Sequence, residues 1–330
     1  MSRVAAETLA IRPYREEDEA SVLELLAASL GAGPAGGRTS EFFRWKHLDN
    51  PFGLSVMLVA EEEGRIVGLR AFMRWEFRAG SETVRAVRAV DTATHPDHQG
   101  RGIFSRLTRE AVEILRRDTD LVFNTPNEKS GPGYLKLGWR PVGRLGMSVR
   151  PRRPRLPGHT GGSPSAEPAP AATVLDDPRL PELLERADRD ERRLETERSL
   201  SFLRWRYGEA ALDYRAVLDE IDGELRGVAF LRVRPRGRLW QTSIGDVIVP
   251  SGDLSAARRL IRAASRSAPS DFVACRLPAG STAARGAATL GFFRAPGGIR
   301  FVVNPLRDGI LPDPAELRSW ALRLGDVEVF

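Results

Sequence analysis

The residues whose types and spacing can carry chemistry lie between positions 90 and 139 of this 330-residue chain. In Gln99-Gly-Arg-Gly-Ile-Phe104, Gly100 and Gly102 separate a predicted strand from a predicted helix. Glycines let the backbone turn closely, and a helix N-terminus aims unpaired N–H groups and a positive dipole end at the same point. This turn can hold a diphosphate, with Arg101 adding a charge-assisted contact. An ordinary glycine-containing turn is the alternative, since the segment has neither the dinucleotide fingerprint nor a Walker loop.

The glycine turn resembles the diphosphate-binding loop of the GNAT N-acetyltransferase superfamily, which reads Gln/Arg-x-x-Gly-x-Gly/Ala between a strand and a long helix. Gln99 and Gly102 match its first and fourth positions, whereas Phe104 replaces a small residue. A second segment, Asn127-Glu-Lys-Ser-Gly-Pro-Gly-Tyr-Leu-Lys-Leu-Gly-Trp139, resembles the family's Asn-x-x-Ala-x-x-x-Tyr-x-Lys-Leu-Gly-Phe. The likeness spans about residues 9–150 and implies an N-acetyltransferase that uses acetyl-CoA as its co-substrate.

The resemblance also implies where the cofactor lies. In this superfamily two adjacent strands splay apart, and the pantetheine arm fills the gap like an extra strand. The corresponding strands are predicted at residues 83–94 and 121–124. Asn127 can hold the cofactor arm and cap its helix at the same time. The residues then expected to contact the cofactor through backbone or side chain are Thr92, Ala93, Thr94, Gln99, Gly100, Arg101, Gly102, Ile103, Asn127 and Ser130.

Attack of an amine on a thioester needs a proton acceptor, stabilisation of the oxyanion and a proton donor for the departing thiolate. By its position in the second motif, Tyr134 resembles the superfamily's general acid. A phenol with a pKa of about 10 carries its proton at neutral pH and suits a thiolate acceptor. The alternative is a tyrosine that only packs at a helix end.

The base is predicted on the strand beside the expected acetyl site. Asp91 is the candidate, and it could take the amine proton directly or through water. It could instead bind the substrate ammonium, or form a structural ion pair with Arg88. His95 and His98 flank the loop and are interpreted as surface residues. A weaker candidate is the carboxylate of Phe330, because the last residues resemble a strand that can return towards a core.

Composition argues against other classes of function. The formal charge is +6 and the pI about 10, but the basic residues are almost all arginine and are interspersed with 44 acidic residues. Specific nucleic-acid binding is therefore disfavoured. The four histidines lack metal-ligand spacing and Cys275 stands alone, so neither a metal site nor a disulfide is expected. With no apolar run of about 18 residues and no signal-peptide pattern, we expect a cytoplasmic protein without a membrane span.

The second half of the chain repeats landmarks of the first in the same order. Phe42-Phe-Arg-Trp-Lys-His47 is answered by Phe202-Leu-Arg-Trp-Arg-Tyr207. A Leu-Gly-aromatic triplet also recurs, followed each time by an alternating strand, at residues 146–149 and 299–303. Repetition at matching intervals indicates a duplicated domain. The shared Phe-Arg-Trp motif could form an acceptor site in a groove, but helix packing explains it better because both halves keep it.

The second half lacks the features that bind the cofactor. Asp246 corresponds to Asp91, but Pro250-Ser-Gly-Asp253 replaces the paired glycines, and its carboxylate would repel a diphosphate. Ala287 or a near neighbour stands where the first half has Tyr134. We interpret this copy as one that has kept the fold, lost cofactor binding and walls the acceptor cleft.

The sequence therefore predicts an α+β protein with mixed α/β sheets: two tandem GNAT-like domains, each a mostly antiparallel twisted sheet flanked by helices. Residues 1–150 are the predicted catalytic domain, 151–172 a linker rich in proline, glycine and serine, and 173–330 the degenerate domain. The predicted activity is transfer of acetyl from acetyl-CoA to a primary amine, on a small molecule or peptide, by direct attack in a ternary complex. A longer acyl-CoA donor and a non-catalytic acyl-CoA-binding module are the alternatives, and the oligomeric state stays open.

Overall fold

The computed structural model describes residues 9–31, 38–152 and 168–328, which form two mixed β-sheets with helices packed against them. The strands are β1 (Ala10–Pro13), β2 (Val56–Glu62), β3 (Arg65–Ala79), β4 (Glu82–Thr94), β5 (Leu121–Asn124), β6 (Arg140–Leu145), β7 (Ser148–Pro151), β8 (Ala169–Pro170), β9 (Glu195–Thr196), β10 (Arg215–Ile221), β11 (Glu224–Arg236), β12 (Leu239–Ile248), β13 (Phe272–Cys275), β14 (Phe293–Arg294) and β15 (Ile299–Pro305). The α-helices are α1 (Glu19–Leu30), α2 (Ser40–His47), α3 (Ile103–Leu115), α4 (Gly131–Lys136), α5 (Ala171–Val174), α6 (Leu180–Arg186), α7 (Leu200–Gly208), α8 (Leu254–Arg266), α9 (Thr282–Thr289) and α10 (Leu324–Val327).

The strands expected at residues 83–94 and 121–124 are present as β4 and β5, and the α+β class is confirmed. At the start of α2, Thr39 is the capping residue. Thr39 has extended backbone angles, and its side chain accepts a hydrogen bond from the Phe42 amide at 3.2 Å. Ser40 already belongs to the helix, and a capping residue must lie just outside it. Within the described ranges, no helix combines the length and apolarity needed to cross a bilayer.

Both sheets are built mainly from antiparallel neighbours. The first has the order β1-β2-β3-β4-β5-β15-β6, with β9 added beside β3, and the second has the order β14-β7-β13-β12-β11-β10-β8. The parallel neighbours are β4 with β5 and, at the equivalent place in the second sheet, β12 with β13. The two halves thus share one topology, as the repeated landmarks predict.

Each sheet contains one strand from the other half of the chain. β7 pairs with β13 and β14, whereas β15 pairs with β5 and β6. Both strands were predicted, at residues 146–149 and 299–303, but each within its own half. Alternation reports which face of a strand is buried and not which strand it pairs with, so the exchange could not be read from it. Of the predicted 151–172 linker, the described ends lie in β7, β8 and α5, and residues 153–167 lie outside the described residues.

The repeated Phe-Arg-Trp motif joins the halves through α2 and α7. The indole nitrogen of Trp45 donates to the Trp205 carbonyl at 2.7 Å, and that of Trp205 donates to the Trp45 carbonyl at 2.8 Å. The two buried rings stack with centroids 5.2 Å apart. A reciprocal contact of this kind is what two equivalent elements make across a twofold axis. The motif therefore packs the halves together, which is the alternative that the sequence favoured.

Helix α3 is held against the first sheet by a close contact with a glycine. Its apolar face includes Ile103 and Leu107, both buried. A Cβ atom on Gly68 of β3 would lie 2.8 Å from Cγ2 of Ile103 and 3.1 Å from Cδ1 of Leu107, so a side chain there would displace the helix. In the second half, Gly227 stands in the same relation to Leu260 of α8, at 2.7 Å. This packing fixes the N-terminus of α3 beside the end of β4.

Candidate active site

The parallel strands β4 and β5 pair over a short distance and then separate. Their register runs from Ala86 opposite Leu121 to Arg88 opposite Phe123. Beyond Arg88, β4 continues along β3 to Thr94, whereas β5 stays with β15. The splay that was predicted between residues 83–94 and 121–124 is therefore present. It leaves one backbone edge of β4 facing a gap in which an extended chain can lie.

A β-bulge in β4 lies at the mouth of this gap. The pairing with β3 shifts between Leu69 and Ala71, so Asp91 and Thr92 together face Arg70. Asp91 has a φ of 40°, in the left-handed region. A bulge bends its strand and increases the local twist. This bend turns the end of β4 away from β5 and opens the gap.

A groove of about 930 Å³ runs from the gap to the glycine turn before α3. It brings together the two motifs that the sequence singled out, although they are separated in the chain. The predicted site residues that line it are Asp91, Thr92, Ala93, Thr94, Gln99, Gly100, Gly102, Ile103, Asn127, Ser130 and Tyr134. Of the predicted cofactor contacts, Arg101 does not line the groove. Its guanidinium forms a two-pronged ion pair with the carboxylate of Glu62, at 2.8 Å and 2.5 Å.

The glycine turn presents the start of α3 to the groove. Gly100 and Gly102 have φ values of 79° and 76°, a conformation that strongly favours glycine. Gly102 is the residue before the first turn of α3 and has no side chain with which to occupy the first N–H groups of the helix. The first turn, Ile103-Phe-Ser-Arg106, also contains no acidic residue. These N–H groups and the helix dipole are thus available to an anion.

Tyr134 lies on α4 at the other end of the groove. Its ring is buried and packs edge-on against Trp139 and Phe104, with centroids 5.3 Å and 5.6 Å away. Its hydroxyl oxygen accepts a hydrogen bond from Nη1 of Arg70 at 2.8 Å. Tyr134 therefore packs at a helix end and lines the groove, so the two interpretations of this residue are compatible. Arg70 was not among the predicted site residues.

Phe104 forms part of the groove wall beside α4. A Cβ atom on Gly133 would lie 3.1 Å from Cε1 of Phe104, which is tighter than ordinary contact. The glycine thus makes room for the aromatic ring that replaces the family's small residue. Phe104 packs between Gly133 and Tyr134 and leaves the groove open.

Asp91 is held in a buried cluster of charges that includes two residues of α2. Its Oδ2 atom lies 2.7 Å from Nζ of Lys46 and 3.0 Å from Nε2 of His47, and Arg38 lies 3.7 Å from its Oδ1. Burial by itself would raise the pKa of Asp91, but Lys46 and His47 hold the pKa well below its usual range. Burial lowers the pKa of His47, which leaves that ring neutral near pH 7. The geometry therefore favours a structural ion pair over a proton acceptor.

The ion pair between Asp91 and Arg88, one of the alternatives that the sequence left open, is not formed. Arg88 donates instead to the backbone carbonyls of Asp326 and Val327, at 2.8 Å and 2.9 Å, and to the hydroxyl of Thr125. The other base candidate, Phe330, lies outside the described residues. These contacts bring the segment of α10 against the first sheet beside the gap.

The remaining polar residues at the turn contact protein groups. His98 lies 3.1 Å from the carboxylate of Glu62, which Arg101 also binds. Asn127 accepts hydrogen bonds from the amide and the hydroxyl of Ser130, at 2.9 Å and 3.0 Å. Asn127 thereby orders the turn that precedes α4, whose capping position is held by Ser130.

The equivalent place in the second half is filled by the chain itself. Asp253 caps α8 by accepting from the Ala256 amide at 2.9 Å, and Arg226 pairs with its carboxylate. Where β12 and β13 part, α10 lies alongside β12, and the Leu324 amide donates to the Arg276 carbonyl at 3.0 Å. The anion site and the strand gap of the first half thus both have internal occupants here.

A second cavity, of about 440 Å³, lies between the halves beside β9. Its charged walls are largely paired: Arg323 contacts Glu195 at 2.8 Å, and Arg198 contacts Asp246 at 2.9 Å. In the described part of the chain, no group of three or more histidine, cysteine, aspartate or glutamate residues is placed to hold a metal ion. We assign no chemistry to this cavity.

Comparison with known proteins supports the fold. Residues 10–142 match a family model described as an acetyltransferase (GNAT) domain. The chain is similar to crystal structures of a GCN5-related N-acetyltransferase from Anabaena variabilis ATCC 29413 (13% identity, TM-score 0.63, covering 91% of this chain and 73% of that one) and of another from Kribbella flavida (17%, 0.61, 97% and 75%). It is also similar to a probable N-acyltransferase from Enterococcus faecalis V583 (12%, 0.65, 91% and 73%). No curated protein matches the sequence.

Residues 10–142 therefore belong to the GNAT acetyltransferase superfamily, and the resemblance seen in the two motifs is confirmed. Taken as a whole, the described chain has a fold shared with GCN5-related N-acetyltransferases.

Proposed function

We propose that the protein is an N-acyltransferase that transfers an acetyl group from acetyl-CoA to a primary amine. One observation carries the proposal: a single groove connects an uncapped glycine turn, a gap between parallel strands and the side chain of Tyr134. A diphosphate, an extended amide-containing arm and a thioester follow one another in acetyl-CoA in the same order. A small molecule or a peptide can present the amine.

The backbone supplies most of the binding in this proposal. N–H groups at the start of α3 and around Gly102 would hold the diphosphate. The edge of β4 that faces the gap, at Thr92, Ala93 and Thr94, would hydrogen-bond the pantetheine amides as a neighbouring strand does. The side chain of Ile103 is buried in the core, so its contribution is limited to its backbone. Arg101 is expected to contribute little, because its guanidinium is paired with Glu62.

The chemistry requires few side chains. Backbone N–H groups near the bulge at Thr92 would stabilise the oxygen of the thioester carbonyl as negative charge develops there. Tyr134 would give its proton to the departing sulfur. Asp91 is occupied by Lys46 and His47, so we propose that the amine loses its proton to water and that Asp91 holds α2 against β4. The attack is direct, in a complex of enzyme, acetyl-CoA and amine.

We propose that the second half supports the site without binding a second cofactor. It contributes β15, which pairs with β5 on the side away from the gap, and it presents the backbone of residues 326–328 to Arg88. These contacts fix one wall of the cleft through which an acceptor would enter.

Two measurements on the intact protein test the proposal. CoA at millimolar concentration should raise the melting temperature, because a ligand selective for the native state stabilises it. Acetyl-CoA with a panel of primary amines should release free thiol, followed with a thiol-reactive dye. Absence of both effects would contradict the proposal. Stabilisation without thiol release from acetyl-CoA or longer acyl-CoA donors would favour a non-catalytic binding module.

A further inference from the structure

Arg70 is a fully buried cation directly beneath Tyr134. Its Nη1 atom donates to the hydroxyl oxygens of both Thr92 and Tyr134. Its Nε and Nη2 atoms have no hydrogen-bond partner among the described residues. Aromatic rings surround the guanidinium, with that of Phe72 centred 4.3 Å and that of Tyr134 5.1 Å from its carbon. Burial of a cation costs free energy when no carboxylate of the described residues pairs with it, so stability does not account for this residue.

The second half provides an internal comparison for this position. Gly68 and Gly227 both accept the close approach of a helix, which aligns β3 with β11. Two residues further along, Arg70 corresponds to Ala229, which is buried among apolar side chains. The sheet topology that the two halves share therefore does not need a charged residue at the position of Arg70.

The two partners of Arg70 change in the same way. Ala229 pairs with Val247, the equivalent of Thr92. Ala287 lies three residues before its Leu-Gly pair, as Tyr134 does in the first half. Val247 and Ala287 belong to the same buried apolar cluster as Ala229. Arg70 and its two hydrogen-bond partners are thus replaced together by three apolar residues in the half whose groove is filled.

Residues that stabilise the fold are, by contrast, retained in both halves. The tryptophan pair, the close-approach glycines and the buried aspartate side chain of β4 and β12 are present in both halves. The polar set of Arg70, Thr92 and Tyr134 is absent from the second half together with the glycine turn. Its presence therefore follows the open groove rather than the fold.

We propose that Arg70 is a positioning residue for proton donation by Tyr134, an inference that rests on the proposed function. Because an arginine only donates hydrogen bonds, the Tyr134 oxygen must accept from it, and its own proton is directed elsewhere. Tyr134 lines the groove, so that proton can face the departing sulfur. Arg70 also holds a fixed positive charge 2.8 Å from the oxygen that becomes negative.

In the proposed transfer one bond forms, one breaks and one proton moves to the leaving sulfur. The amine nitrogen forms a bond to the thioester carbon, the carbon–sulfur bond breaks and its electron pair goes to sulfur. The proton of Tyr134 moves to sulfur and gives the free thiol of CoA. The tyrosinate oxygen remains beside Arg70 until it recovers a proton from solvent, which has received the one lost by the amine.

The test uses the full-length protein with the substitutions Arg70→Met, Arg70→Lys and Tyr134→Phe, and the double variant Arg70→Met with Tyr134→Phe. Thiol release from acetyl-CoA gives kcat, calorimetry gives CoA affinity and thermal melts give stability. We expect Arg70→Met to lower kcat by about 10- to 100-fold while CoA affinity stays within about twofold. Its melting temperature should be unchanged or higher, because methionine fits an apolar site. Arg70→Lys should recover part of kcat.

The double variant separates positioning from a structural role. If Arg70 acts through Tyr134, the double variant should be no slower than Tyr134→Phe alone. A further loss equal to that of the single Arg70→Met change would overturn the inference. So would loss of folding in both Arg70 variants, or equal losses of kcat and CoA affinity.

The same measurements distinguish failure of this inference from failure of the proposed function. Absence of thiol release by the native protein with acetyl-CoA and the amine panel would overturn both. Release that is unaffected by Arg70→Met would overturn the role of Arg70 alone.

Discussion

The groove beside β4 and the equivalent region beside β12 have the same backbone plan and opposite contents. In the first, a glycine turn leaves the start of α3 uncapped and the gap between parallel strands open. In the second, Asp253 caps α8 and α10 lies against the end of β12. The difference lies in a few side chains and one segment of chain. Under the proposed function, two copies of one backbone plan differ in that only the first would bind the cofactor.

Comparison of the two regions separates residues that stabilise the fold from residues that are proposed to bind the cofactor or take part in catalysis. The side chains of Asp91 and Asp246 are each buried and paired with cations from the helix or segment packed against them. Asp91 was the predicted base, but the second half has an equivalent buried aspartate, Asp246, which fits a structural role. The groups found in the first half alone are the paired glycines Gly100 and Gly102 and the polar set around Tyr134.

The largest expected effect comes from removing the proton donor of the open groove. Tyr134→Phe should lower kcat by about 10²- to 10⁴-fold, because loss of a general acid removes stabilisation of the departing thiolate. CoA affinity should be unchanged, since the diphosphate and pantetheine contacts lie elsewhere. Steady-state thiol release and calorimetry measure the two quantities. An unchanged kcat would remove Tyr134 from the mechanism and weaken the contrast between the halves.

The next largest effect concerns the buried aspartate of the filled region. Burial alone would raise the pKa of Asp246, but Arg198 and Arg323 lower it to about 2. An aspartate carboxyl in the unfolded chain has a pKa of about 3.9. The ionised Asp246 therefore stabilises the folded protein above that pH, and this stabilisation is lost as the pH falls towards 2. Asp246→Asn should lower the free energy of unfolding by about 3 kcal/mol at pH 7, since it leaves buried cations unpaired.

Urea unfolding of the native protein and of Asp246→Asn at pH 7 and pH 3 checks this expectation. The difference between the two proteins should shrink at the lower pH. A difference that is equal at both values would show that the carboxylate charge is not what stabilises the fold there.

A matched pair of glycine substitutions compares the two turns directly. Gly102 and Gly252 have φ values of 76° and 80°, and neither would place a Cβ within 4 Å of another described residue. Valine at either position should therefore impose a similar backbone strain. Gly102→Val should weaken CoA binding by about 10- to 100-fold, whereas Gly252→Val should leave it unchanged. Equal effects on calorimetric affinity would contradict the assignment of the diphosphate to the first turn.

The smallest effect is expected at the arginine of the motif. Arg101→Ala should change CoA affinity by less than about threefold, because its guanidinium already pairs with Glu62 and faces solvent. A loss of tenfold or more would mean that Arg101 exchanges Glu62 for the diphosphate when CoA binds. That result would restore the contact first expected from the sequence.

Local features of the site were predictable because short-range patterns determine them. Gly100 and Gly102 between a strand and a helix, and the segment from Asn127 to Trp139, indicate the two ends of the groove without any knowledge of the sheet. The splay followed from the family resemblance and is seen where β4 and β5 part.

Features that depend on pairing between distant elements were not predictable. The exchange of β7 and β15 depends on which edge each strand meets, and the alternating pattern is the same for either edge. Lys46 and His47 reach Asp91 from α2, and no sequence spacing connects that helix to β4. For Arg70, a charged residue within a strand expected to be buried was the available signal.

The most direct measurement is a crystal structure of the protein with CoA bound. The diphosphate should lie on the N–H groups around Gly102 and the start of α3, with the pantetheine arm between β4 and β5 and its sulfur near Tyr134. The region beside β12 should hold no CoA. Binding of CoA in the cavity between the halves, or beside β12, would contradict the account.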